Sequence, residues 1–279
     1  MTAQRLAAMR IVVGAYAVIY TLARLPELVA AAQMHRGSWS PLGIARVLHE
    51  PLPPGLAIAV AIITVPLLGL FASGFAYRIV APLAAIALLW TMTYRNSWGQ
   101  PFHTENLLVL HVIALACAPA ADAWAWRMPS RAIADDRAYA FHIRVLAVIT
   151  VSTYVLAGIA KLRLAGGAWT GGEQLRNQIA MDNARKVLLG AAPSFIATPL
   201  LGHPSLFTGV SIATLIVELG APLALIPRIG RVWVWAAWGF HVGVLLLMNI
   251  VFPYPLFGVA FVPWIDVAGM FRRVRRSQV

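Results

Sequence analysis

Long apolar runs, separated by short loops that carry arginine, set the limits on what this chain can become. Eight such runs stand out, at roughly 10–32, 55–74, 77–94, 104–121, 139–161, 205–227, 232–250 and 252–268. Most are close to the ~20 residues a helix needs to cross ~30 Å of hydrocarbon. The last is short and holds Pro253, Pro255 and Pro263, so it is the least regular. Only 11% of the 279 residues are charged, where an ordinary soluble domain carries about 25%. With 60% hydrophobic residues and a mean hydropathy of +0.76, little chain is left for a soluble domain. The expectation is an all-α, polytopic integral membrane bundle of about eight transmembrane helices, forming a single transmembrane domain over 1–279.

The start, Met1 to Arg10, is short and basic. The run after it is long enough to span and lacks a small-x-small cleavage site, so it reads as the first helix rather than a cleaved leader. One cysteine, Cys117, lies in an apolar stretch. It cannot form a disulfide within one chain and reads as a small core residue.

The formal charge of +12 comes from arginines scattered between apolar runs rather than gathered on one domain. That spacing argues against nucleic acid and for the positive-inside rule. Arg5, Arg10, Arg78, Arg127, Arg131, Arg137, Arg228, Arg231, Arg272, Arg273, Arg275 and Arg276 all fall on one side, which places both termini in the cytoplasm. The other side receives 33–54, 95–103, 162–204 and 250–252. Within the first of these, Ser40 to Glu50 reads as a short interfacial helix, with Ser40 as cap and Pro41 at its first position. The 162–204 loop opens on a glycine-rich stretch and continues as a helical pattern. Leu175, Ile179 and Val187 lie on one face, with Gln174, Arg176, Gln178 and Asp182 on the other. An interfacial helix or a lid over a site both fit.

An ionisable group inside a bilayer is costly unless paired, so each one marks a potential site. Lysine is rare here: Lys161 and Lys186 stand against twenty arginines. Lys161 ends an apolar run, and an amine there loses its proton far more readily than a guanidinium. It is a candidate base or nucleophile. His103 to Asn106 is expected to form the first turn of the fourth helix after Pro101, with His111 about two turns further along. There His103 could accept a proton, or His103 and Glu105 could simply cap the helix. His241 sits mid-span between Gly239 and Gly243 and reads equally as a hydrogen-bonded core histidine. Glu218 is mid-span and needs a partner, which His241, Arg24 or a proton could supply. Arg24 and Glu27, three apart, can pair with each other. Trp90, Trp98, Trp124, Trp126, Trp169 and Trp264 mostly mark span ends. The HxxxH spacing of a helical metal site is absent from the sequence, so no metal is expected.

Three motifs resemble those of one family. They are Ser97-Trp98 followed by His103 and Glu105-Asn106-Leu107; Tyr154, Ala157-Gly158 and Lys161-Leu162 followed by Trp169 and Gly171; and Phe240-His241 followed by Asn249-Ile250 and Phe252-Pro253-Tyr254. In this order they are similar to the membrane region of HTTM-domain proteins, the bacterial relatives of vitamin K-dependent gamma-glutamyl carboxylase. The resemblance implies a bacterial inner-membrane enzyme that deprotonates a reduced quinone of the vitamin K or menaquinol kind. Dioxygen, and carbon dioxide if the enzyme carboxylates, would be its co-substrates. It assigns Lys161 as base, His103 as an assisting histidine and His241 as the later membrane histidine. Trp98, Glu105, Asn106, Tyr154, Trp169 and Asn249, which carry the same motifs, become the expected substrate-binding residues. The partners implied are membrane lipid and quinone, with a peptide or membrane-protein partner compatible and nucleic acid excluded. The other reading is a non-catalytic membrane protein that binds quinone, lipid or a partner on the same scaffold.

Overall fold

The computed structural model describes residues 2–99, 101–126 and 135–276, with side chains as far as 273. Gln100, Arg127 and Arg131 lie outside the described residues, as do the side chains of Arg275 and Arg276. Among the described residues every regular element is helical, and an isolated bridge pairs Trp39 with Trp98. In chain order the α-helices are α1 (Thr2–Ala32), α2 (Pro54–Ser73), α3 (Tyr77–Asn96), α4 (Asn106–Ala116), α5 (Asp136–Ala165), α6 (Gly167–Thr170), α7 (Glu173–Leu188), α8 (Ala197–Leu200), α9 (Pro204–Leu219), α10 (Pro227–Met248), α11 (Pro253–Leu256) and α12 (Val267–Arg276).

Five of them, α1, α2, α3, α5 and α10, are long and apolar enough to cross a membrane. The other three expected runs are shorter or broken. α4 has 11 residues and stops ahead of Pro119, and α9 has 16 and gives way to a 3-10 turn containing Pro222. The last run divides into α11 and a 3-10 stretch, Val259–Trp264. Proline removes an amide donor and crowds the preceding turn, which favours a break at these points, whereas α1, α2 and α3 continue through Pro26, Pro66 and Pro82. The long helices turn apolar residues outward. Ile62 and Ile63 of α2, Ile79, Leu83 and Ile86 of α3, and Val232 and Trp235 of α10 are each between 49% and 71% exposed. Water does not tolerate faces of that kind at this scale, whereas lipid does. The protein is therefore a membrane-embedded helical protein.

The chain divides into two compact units, Met1–Leu146 with Ile265–Val279, and Ala147–Trp264, so the boundary falls within α5. In the first, α1 packs on α2 and α4, α3 packs on α2 and α4, and α12 packs on α1. Thr64 and Thr91 join α2 to α3 through their hydroxyls at 2.9 Å, an interhelical bond worth about 0.6 kcal/mol in a membrane.

One end of this unit is organised by Arg10, which is wholly buried. Its guanidinium donates to the carbonyl oxygens of Ala72 (3.2 Å), Ala120 (2.6 Å), Ala123 (3.4 Å) and Trp124 (2.6 Å). Arg10 is therefore not one of the free, topology-setting charges that its position in the sequence implied. Four of its five donors are matched to carbonyls left over at a helix end and in an irregular segment. Gly74 makes room for it. Gly74 ends α2 in the left-handed region (φ 75°), and a Cβ there would sit 2.8 Å from Arg10 Nη1 and 2.9 Å from the Ala125 methyl. Gln4 accepts from Arg272 (2.9 Å), the Trp126 N–H donates to the Ser73 carbonyl, and Trp124 lies tilted against Phe271 at 6.0 Å. The first turns of α1, the α2–α3 junction, residues 120–126 and α12 thus gather at one end.

Two further expectations in this unit are corrected. The 3-10 turn Gly43–Val47 replaces the helix expected from Ser40, with Leu42 as its cap. The Ser40 N–H donates instead to the Ser97 carbonyl, and the Leu42 N–H to Ser97 Oγ, which holds this stretch extended. Cys117 is exposed rather than in the core.

In the second unit the 162–204 segment forms α6, α7 and α8. The buried stripe of α7 is Leu175, Ile179 and Asn183, at spacings of four, and Val187 is exposed. Asn183 replaces Val187 because it has carbonyls to satisfy. The last carbonyls of α10 have no partner within their own helix. Ser194 Oγ donates to Leu246, Asn183 Nδ2 to Leu247 (3.1 Å) and Lys186 Nζ to Met248. Asn249, in the left-handed region (φ 47°), then closes the helix.

Candidate functional site

Tyr154, Gly158 and Lys161 recur at four and three residues along α5, so they share a face. At Gly158 α5 lies against Glu218 and Leu219 of α9. One turn on, Lys161 Nζ forms an ion pair with Glu218 Oε1. Glu218 is 2% exposed and Lys161 21% by side chain. Neither His241 nor Arg24 fills the place expected for a Glu218 partner; Lys161 does, because Gly158 brings the two backbones close. The ammonium also lies 4.9 Å from the ring centre of Trp169 on α6 and 5.3 Å from that of Phe240 on α10. Aromatic faces stabilise a cation by roughly 0.5–2 kcal/mol each, more as water is excluded.

Beside this pair a second one forms. Tyr154 OH and His241 Nε2 are 2.8 Å apart and buried. Trp233 packs edge-on against Tyr154 at 5.0 Å, and Phe252 lies 5.4 Å from the His241 ring. Three buried polar atoms of the cluster have no hydrogen-bond partner: Glu218 Oε2, Trp169 Nε1 and His241 Nδ1. Such atoms each cost roughly 1–3 kcal/mol, so a native cluster of three calls for a functional reason. What the arrangement offers is one cation, one free carboxylate oxygen, one indole donor and one imidazole nitrogen, walled by aromatic rings.

The remaining expected residues, apart from Asn249, belong to the first unit. α4 begins at Asn106, so His103 is outside its first turn; the His103 carbonyl accepts the Asn106 N–H at 3.3 Å. His103 and Asn106 are exposed. Glu105 is 2% exposed and stands at the N-cap position of α4, but its side chain makes no capping bond. It turns inward to accept from Tyr20 OH at 2.8 Å, with Arg95 3.8 Å away. Arg95 also reaches Glu27 (3.2 Å), which pairs with Arg24 (2.6 Å). Trp98 is buried against Trp39 at 5.0 Å. His111 is buried, its Nε2 3.2 Å from the Leu146 carbonyl. Asn249, in the second unit, contributes its backbone turn to α10 and is exposed.

Glu218 reads from the sequence as a carboxylate in need of a partner and joins the site through Lys161, while Phe240 stands in a motif with no role of its own. The sequence signal available was the mid-helix carboxylate itself. Comparison with protein-family models, with curated proteins and with solved structures finds no match to this chain.

Proposed function

We propose that this protein is a vitamin K-dependent carboxylase-like enzyme of the bacterial cytoplasmic membrane that removes a proton from a reduced quinone. In this reading it is an HTTM-type bundle of about eight membrane segments with both termini cytoplasmic. The observation that carries the proposal is the Lys161–Glu218 pair, buried among Trp169 and Phe240 with polar atoms left open around it. A base held away from water beside its counter-charge is suited to taking a proton from a bound hydroxyl. The aromatic walls suit a flat quinol ring, and the lipid-facing surface suits an isoprenoid tail arriving sideways from the bilayer. Dioxygen, and carbon dioxide where the reaction goes on to carboxylation, are the co-substrates. The chain's own residues bind the ring, exclude water and hold the proton. No metal enters this reading, and His103, Trp98, Glu105, Asn106 and Asn249 are assigned no step in it.

The test is to incubate the purified protein with reduced vitamin K or menaquinol under oxygen and to seek the quinone epoxide by mass spectrometry. The expected result is epoxide from the wild type and none from Lys161→Ala. No epoxide from folded wild-type protein overturns the reading.

One observation favours a second reading. An ion pair between α5 and α9 is also what a purely structural fastener would look like. In that case the protein binds quinone, lipid or a membrane partner without chemistry. Quinone binding by the wild type with no product would support it.

A further inference from the structure

The ammonium of Lys161 has three donors and no lone pair, so while it is paired with Glu218 it cannot itself receive a proton. To act as the base, Lys161 would first have to give a proton away, and the nearest acceptor is Glu218 itself, so the carboxylate takes up a proton in that case too. The cluster's open carboxylate acceptor is elsewhere. Glu218 uses Oε1 on Lys161, and its Oε2 is buried and unpartnered. Trp169 Nε1 is an unused donor in the same cluster.

We propose that Glu218, through Oε2, is the group that takes the proton in this site, and that Lys161 stays an ammonium throughout. The identity of the proton donor rests on the quinol reading above; the assignment of the acceptor does not. In the step, the O–H bond of a quinol hydroxyl breaks and its proton bonds to Glu218 Oε2. The electron pair stays on the quinol oxygen, and the quinolate takes over Lys161 as its counter-charge. An ammonium, a carboxylate and a neutral quinol become an ammonium, a carboxylic acid and a quinolate. The net charge of the buried site is unchanged, so no uncompensated charge is created in lipid. Trp169 Nε1–H is available to the developing oxyanion. Of the other titratable groups at the cluster, Tyr154 OH is bonded to His241 Nε2, and His241 Nδ1 is the remaining unpartnered nitrogen.

Two measurements on the full chain in lipid nanodiscs test this. The first is labelling with dicyclohexylcarbodiimide, an apolar reagent that attacks carboxyl groups able to carry a proton, read by peptide mass spectrometry. The expected result is an adduct on Glu218. An adduct on Glu218 in Lys161→Met but none in the wild type would show that the reagent arrives and that Glu218 is locked as a carboxylate, which overturns the proposal. The second is turnover of reduced vitamin K by Lys161→Arg and Glu218→Gln. Arginine keeps the charge but does not deprotonate, so Lys161→Arg is expected to lose no more than about tenfold, and Glu218→Gln to lose product formation. A folded Lys161→Arg variant as silent as Lys161→Ala overturns the proposal. If Glu218 is labelled while the wild type leaves reduced vitamin K untouched, the quinol reading fails and the acceptor assignment stands.

Discussion

Gly158 lies so close to Glu218 that a side chain at 158 would be forced against it: an added Cβ would sit 3.1 Å from the Glu218 Cβ and 2.8 Å from Leu219 Cδ2. This approach lets Lys161, three residues later, reach a carboxylate on another helix. Replacing Gly158 by valine should push α5 and α9 apart, costing roughly 1–3 kcal/mol as overpacking does elsewhere. Thermal unfolding in detergent followed by circular dichroism reads this directly, and an unchanged midpoint would count against the close approach.

The ion pair makes a second, sharper prediction. Lys161→Met strands Glu218, and breaking a buried pair from one side costs roughly 3–5 kcal/mol. Adding Glu218→Gln removes the stranded charge, so the double variant should be more stable than Lys161→Met alone. A double variant that is less stable than both singles would mean the two residues are not partners.

Arg10 is expected to be far more sensitive than the exposed arginines. Arg10→Met leaves up to four carbonyls without their donor, at roughly 1–3 kcal/mol for each one that stays dry. Lysine should not rescue it, because one ammonium cannot reproduce the fork. Arg78→Met and Arg228→Met, at exposed positions, should stay within about 0.5 kcal/mol of wild type. Detergent-solubilised yield and unfolding midpoints of the four variants decide the point.

Tyr154→Phe removes the partner of His241 Nε2 and should cost roughly 1–3 kcal/mol. Combining it with His241→Phe should restore part of the loss, since no unpaired imidazole nitrogen then remains. A double-mutant cycle without coupling would rule out the bond.

The side chains on the end of α10 make a prediction about motion. Asn183→Ala removes donors to Leu247 and Ile179 and an acceptor for Ser194 N–H. Amide hydrogen exchange across 173–200 should speed up in this variant while α1 to α3 stay protected.

Much of the architecture was legible because apolar length and proline placement are local properties. α1, α2, α3, α5 and α10 fall where the long runs lie. The truncation of α4 and α9 was less legible, since each run is 18 or more residues long and only Pro119 and Pro222 gave the stop. The site was legible in parts. Lys161, Tyr154, Trp169 and His241 each stood out, and Glu218 announced a missing partner. Their pairing did not, because it joins residues 57 and 87 positions apart. Asn183, Lys186 and Ser194 look like ordinary loop polar residues until the free carbonyls of another helix are known. His103 was misplaced for a related reason: Glu105 found Tyr20, 85 residues away, in place of a capping role.

Arg10 also constrains the order in which this protein can be made. Its acceptors lie 62, 110, 113 and 114 residues further along the chain. When α1 first emerges from the ribosome, its guanidinium has nothing to hold and no low-cost place in hydrocarbon. The first helix therefore cannot settle until the chain has been synthesised past Trp124. Until then it must be sheltered by the insertion machinery or keep its first turns in the headgroup layer. In a nascent chain stalled before residue 120, a cysteine placed in the first turns of α1 should be more open to an aqueous thiol reagent than in one stalled well beyond 124.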